Sequence, residues 1–203
     1  MSKTVLIVLG FVATFVLLIS LYKNTIKLKV QDTSITFAAG ATYYIDCSNG
    51  NDTNNGTSVA SAWKTISKAN TAPLNPGDKL LFKRECIWNG RLQAGWIGTD
   101  TAPIIISDYG TGALPSIQTS PSLSSGRVEI TGKYQIIENL DVRTINPNTD
   151  PNCNNQTIGY FVGFNFLGTS SNNIVRNSRI SNHTIGIHIT DNSNHNKIIN
   201  NEI

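Results

Sequence analysis

Two stretches near the C-terminus repeat each other at a fixed offset, and this limits the fold more than any other feature of the chain. Residues 162–184 read VGFNFLGTSSNNIVRNSRISNHT, and residues 185–203 read IGIHITDNSNHNKIINNEI. Gly163 matches Gly186, Phe164 matches Ile187, Asn173 matches Asn196, Asn177 matches Asn200 and Ile180 matches Ile203, always 23 residues apart. A less regular copy lies in residues 128–142, where Ile130, Ile137, Asn139 and Val142 take the corresponding places. An Asn- and Pro-rich stretch, 146–160, separates it from the next copy and should bulge outward.

Each copy holds three short pieces of alternating apolar residues, divided by Asn, Gly or Ser. Three strands with no helix fit one coil of a parallel β-solenoid. A single coil cannot bury its own apolar face, so coils must stack. Stacking sets like residues over like, about 4.8 Å apart. Asn139, Asn177 and Asn200 should then form an asparagine ladder at one turn, since Asn tolerates a left-handed backbone and bonds to neighbouring amides. A leucine-rich repeat has a similar period but needs a leucine run and a helical half, and both are missing. Charged residues make up 14% of the 203, and the net charge is +3. The lysines are scattered, so there is no nucleic-acid footprint.

The stretch before the repeats carries a resemblance. Tyr43 to Asp46 with the following Asn/Gly/Asp-rich loop, then Ala62 to Ile66, Pro76 to Asp78, and Ile104 to Gly110, resemble the opening of right-handed parallel β-helix proteins of the pectate lyase superfamily. The resemblance covers residues 42–203. The expected fold is all-β: a right-handed parallel β-helix of three-strand coils, with a short N-terminal capping helix and a preceding transmembrane helix. Ser58 is a fair N-cap for a helix running to Asn70, with Trp63 and Ile66 on the face that plugs the first coil. Ile203 ends an apolar strand in mid-repeat, so further chain or a partner is expected to cover it.

Residues 5–21 read VLIVLGFVATFVLLISL, flanked by Lys3 and Lys23, and match the shortest helices that cross a bilayer. Small residues suited to signal cleavage come only at Ala38 to Ala41, well past the apolar core. Residues 1–22 therefore read as an uncleaved signal anchor and 23–41 as a tether or short strand; cleavage would make the protein secreted. Lys23, Lys27 and Lys29 argue for the opposite orientation by charge. The extracellular character of the fold places the β-helix outside the cell. Of the three cysteines, Cys47 and Cys86 each follow a predicted strand and could be bridged. The odd count leaves at least one thiol unpaired.

In this superfamily the substrate groove lies on outward side chains of successive coils. In VEI, GFNF and GIHI the apolar residues point inward, which sends Glu129, Asn165 and His188 outward in a row. Arg127 and Thr190 should lie beside it, and Asp191 begins the next turn. Glu129 and His188 are the candidate catalytic pair; Arg127, Asn165, Thr190 and Asp191 are candidate substrate ligands. A solvated polar face would show the same alternation. Asp141, Arg179 and Glu202 share one repeat position, and Glu138 and Arg176 another; both read as devices that fix register. His183 and His195 should sit in solvated turns. No protein metal site is assigned, although Asp46, Asn49, Asn51 and Asp52 offer oxygens that could hold calcium, an ion the resemblance implies for lyases.

These features point to an extracellular protein that meets acidic polysaccharide or another glycan. The resemblance implies a pectate- or alginate-type polyuronate lyase, or a glycoside hydrolase. The alternative is a non-catalytic glycan-binding or adhesive stalk at the cell surface.

Overall fold

The structure is a computed structural model that describes residues 40–119, 127–144, 161–190 and 192–203. The apolar segment 5–21, nearly all of the tether, Cys153 and Asp191 lie outside them. Among the described residues no helix is long and apolar enough to cross a membrane.

Among the described residues, fourteen strands form three parallel sheets. The first sheet holds β1 (Thr42–Ile45), β2 (Lys79–Lys83), β5 (Ile104–Tyr109), β8 (Gln135–Glu138), β11 (Ile174–Arg176) and β14 (Lys197–Ile199). The second holds β3 (Ile87–Asn89), β6 (Ser116–Thr119), β9 (Asp141–Thr144) and β12 (Arg179–Ser181). The third holds β4 (Leu92–Ala94), β7 (Val128–Ile130), β10 (Val162–Phe166) and β13 (Ile185–Ile189). From β2 onward the chain visits the sheets in the order first, second, third. Each circuit is one coil of a parallel β-helix.

Like residues stack on like, as the repeat requires. Leu80, Ile106, Ile137, Val175 and Ile198 form one column in the first sheet. Trp88, Ile117, Val142 and Ile180 form another in the second, and Leu92, Val128, Phe164 and Ile187 a third. Apart from Ile187 and Ile198 these side chains are almost fully buried, and each buried one contributes about 1.5–3 kcal/mol relative to exposure. Gly163 on β10 and Gly186 on β13 let these two neighbouring strands approach closely: a Cβ on Gly163 would lie 2.5 Å from the Gly186 carbonyl oxygen.

The asparagine columns divide their work. Asn139, Asn177 and Asn200 all take positive φ, between 51° and 57°, and so make the sharp turn from the first sheet to the second. The continuous side-chain ladder lies elsewhere. Asn173 is fully buried; its Oδ1 accepts the Gln135 N–H at 3.0 Å, and its Nδ2 donates to the Gly132 carbonyl at 3.0 Å. Asn196 repeats this one coil on, accepting the Asn173 N–H at 3.0 Å. Asn201 does the same for the Ser178 N–H at 3.0 Å. The charged columns hold register as expected, with Arg176 Nε 2.6 Å from Glu138 and Arg179 Nε 3.0 Å from Glu202.

The cap differs from the expected single helix. Ser58 does cap a turn, but only the 3-10 turn Val59–Ser61, and Thr65 caps a separate one-turn helix, α1 (Ile66–Ala69). Between them Trp63 is extended and pairs with Ile45, donating its N–H to the Tyr44 carbonyl and accepting from Asp46. Edge pairing to β1 therefore overrides a weak helical preference. The plugging role survives: Trp63, Ile66, Ala69 and Leu74 are buried. Trp88 and Trp96 anchor this segment by donating their indole N–H to the Lys64 and Ala72 carbonyls. Cys47 and Cys86 are bridged across the first coil, Cα to Cα 5.7 Å.

Candidate functional site

The third sheet carries the row expected from the alternation. Phe164 and Phe166 fill the core, so Asn165 faces the other way. Register sets Glu129 beside Asn165 and Asn165 beside His188. Neighbouring backbones are one strand spacing apart, so Glu129 and His188 flank Asn165 about 10 Å from each other at the backbone. His188 Nδ1–H donates to Asn165 Oδ1 at 3.0 Å, which fixes the imidazole and turns Nε2 away from its neighbour. Asn165 is 8% exposed, and all five residues of β10 are buried, so the middle of the row is recessed.

Two further residues belong to it. Gln93 on β4 lies in register with Glu129 and lengthens the row by one coil. Its position between buried Leu92 and Ala94 is the same alternation that marks the other three. Arg91 reaches Glu129, Nη1 to Oε1 3.2 Å. It sits in a turn outside the alternation, so no sequence pattern marks it.

The other candidates are placed differently. Arg127, two residues before Glu129, is fully buried: its Nη2 lies 3.4 Å from Thr144 Oγ1 and its guanidinium over the Phe161 ring. Burial, and then the nearby Arg91, lower its pKa. Thr190 spends its hydroxyl on the Phe166 carbonyl at 2.8 Å, tying the ends of β13 and β10 together. His183 is half-buried and not a freely solvated turn residue: burial and then the neighbouring Arg127 charge, against a backbone hydrogen bond at Ser181, push its pKa down to about 4. His195 is exposed, as expected.

The loop after β1 does not fit calcium. Asp46 Oδ1 accepts the N–H groups of Ser48 and Asn49, and its Oδ2 accepts the Lys83 ammonium at 2.7 Å. Burial alone would raise the Asp46 pKa, but Lys83 and these N–H groups outweigh it and hold the carboxyl below its usual range. Asp52 is occupied by the N–H groups of Lys64 and Thr65 and by the Thr65 hydroxyl. Both carboxylates point at donors, the reverse of a cation cage. Asp46 also lies against Cys47 and Cys86, whose sulfurs are spent on each other.

Three parallel sheets, stacked coils and an outward polar row define a parallel β-helix protein, the fold of pectate lyases and several other glycan-active enzymes. The similarity to solved structures bears this out. A GH136 lacto-N-biosidase from Eubacterium ramulus superimposes with a TM-score of 0.59 over 80% of this chain and 31% of its own, at 22% identity. Pectate lyase Pel9A superimposes with a TM-score of 0.56 over 83% of this chain and 40% of its own, at 21% identity. In sequence, the lacto-N-biosidase of Bifidobacterium longum subsp. longum is 36% identical over 84 residues. That match takes in 39% of this chain, which spans only 5% of the relative's length. No protein-family model matches the chain.

Proposed function

We propose that this protein binds a glycan along the outer face of the third sheet, with Gln93, Glu129, Asn165 and His188 as successive contacts. The observation that carries this reading is the register of the row: acceptor, amide and imidazole from four consecutive coils stand in one line on a rigid backbone. Sugars are recognised by such convergent hydrogen-bonding groups, and sites built on strands hold them in place. The similar proteins, a lacto-N-biosidase and a pectate lyase, support a saccharide partner.

A catalytic reading is favoured by one contact. With Nδ1 held by Asn165, the His188 Nε2 can accept a proton from a bound sugar, the role of a base in β-elimination of a polyuronate. Hydrolysis calls for two opposed carboxylates. Among the described residues the row supplies one, Glu129, already engaged by Arg91. Elimination by a pectate- or alginate-type lyase is therefore the finer proposal.

We propose further that the β-helix is exported and tethered by residues 5–21. The Cys47–Cys86 bond supports this, since such bonds persist in oxidising compartments. Membrane fractionation with protease accessibility on intact cells tests it: a tethered domain outside the cell is shaved away, and a protected one is not.

For the glycan, calorimetric titration of the full chain with uronate oligomers and with neutral lacto-type oligosaccharides tests the reading. One class should bind, and E129A and N165A should each weaken it about tenfold, the cost of one lost hydrogen bond to a charged or buried group. Absence of binding by every glycan, or wild-type binding by both variants, would sink it. Unsaturated product from a polyuronate, lost in H188A, separates the lyase from a purely binding surface.

A further inference from the structure

A second cleft lies on a different face of the coil stack, where the first sheet turns into the second. It encloses about 460 Å³, within the size range of small-ligand sites. Its floor is an outward row on the second sheet: Ile87, Ser116, Asp141 and Arg179 stand in register on β3, β6, β9 and β12. The connections at 84–86 and 112–114 form its walls. Three guanidiniums, Arg84, Arg143 and Arg179, face it against two carboxylates, Glu85 and Asp141.

The bonding state of these groups points to a ligand. Asp141 is 8% exposed; its Oδ2 meets Arg143 at 3.4 Å, while its Oδ1 is buried without a hydrogen-bond partner. An acceptor left so in a folded protein calls for a donor. Arg84 is committed to Asp108 and to the Gly112 carbonyl. Arg143 also reaches Ser116 Oγ at 3.1 Å and is partly exposed, and Arg179 makes an exposed pair with Glu202 and feels the Asp141 charge. Arg143 is also held by the Gln118 side-chain oxygen, from Nη2 at 2.9 Å and Nε at 3.0 Å, so its remaining N–H donors and the loosely paired Arg179 are what the cleft offers an anion. Ile87, 52% exposed, gives an apolar wall beside the Cys86 sulfur.

From this we infer that the cleft on the second sheet is a binding site for a sugar acid. The ligand's carboxylate would take the forked donors of Arg143 and Arg179, a hydroxyl would donate to Asp141 Oδ1, and the apolar face of the ring would lie on Ile87. The inference stands apart from the third-sheet reading, because it uses none of that row's residues and lies on another sheet.

Isothermal titration of the full chain with glucuronate is the test, with glucose and acetate as controls that keep only the hydroxyls or only the carboxylate. Glucuronate should bind in the millimolar range or tighter, and each control at least tenfold more weakly. Arg143→Gln and Arg179→Gln should each weaken glucuronate at least fivefold, whereas Lys197→Gln, on the exposed β14 of the first sheet, should leave it unchanged. Arg179 sits on the rim, so its variant folds even if Arg143→Gln does not; thermal melts of both make that visible. Equal binding of acetate and glucuronate, glucuronate binding unchanged in Arg179→Gln, or binding lost in Lys197→Gln would overturn the assignment.

Discussion

Replacing Asn173 by Ala tests whether the buried ladder, and not the turn column, ties coil to coil. The Asn173 side chain satisfies the Gln135 N–H and the Gly132 carbonyl, and shares Asn196 Oδ1 at 3.1 Å. The residue is fully buried, so water cannot replace those bonds. Each orphaned buried group costs about 1–3 kcal/mol, which puts the variant about 2–5 kcal/mol below wild type. In a domain of this size that lowers Tm by about 4–20 °C. Asn177→Gly is the comparison: its φ is 51° and its side chain is exposed, so Gly should hold stability within about 1 kcal/mol. Urea unfolding followed by circular dichroism measures both. A loss below about 1 kcal/mol in Asn173→Ala, or a larger loss in Asn177→Gly, would refute the assignment of the ladder.

Two further outcomes follow from other parts of the molecule. The Cys47–Cys86 bond closes a loop with a separation of 39 residues, and chain entropy assigns it about 4 kcal/mol, so C47S/C86S should unfold at a correspondingly lower urea concentration. An unchanged midpoint would show that the cap holds the first coil without it. His183 titrates near 4 in the folded protein against an ordinary 6.5, so the unfolded chain binds the extra proton between those values. Stability should then fall by about 1–3 kcal/mol as pH drops from 6.5 to 4, less than full linkage because the ring is only partly buried. His183→Gln should flatten that slope. The lowered pKa values of Asp46 and Asp52 act in a separate window, below about their ordinary 3.8, where protonation removes their contribution. A slope between 4 and 6.5 that persists in His183→Gln would move its cause elsewhere.

The coil was legible because like side chains must stack, and the 23-residue offset reports that directly: Asn173 does sit under Asn196. Only the last coil keeps the short period. Earlier coils carry longer connections, 120–126 between β6 and β7 and 145–160 between β9 and β10, which stretch the spacing without altering the register. That is why Gln93, one coil further back, escaped notice although it obeys the same alternation. The burial of Arg127 was not legible because it stands in a turn, where period-two reasoning says nothing about direction. The helix was overread for a similar reason: a Ser cap and an apolar Trp–Ile spacing do not register that Trp63 can pair with β1 instead. The ionic cleft was hidden because its walls, 84–86 and 112–114, come together only when two coils stack. His183 looked like an ordinary turn residue, and nothing local signals that Arg127 lies beside it.

Amide shifts of the isotopically labelled chain, followed through a titration with whichever oligosaccharide binds, put the glycan-contact proposal to its most direct test. The stacked-row geometry predicts saturable movement of Gln93, Glu129, Asn165 and His188 together, one residue from each of four coils. Movement confined to other faces, or to one member of the row with its vertical neighbours still, would contradict it.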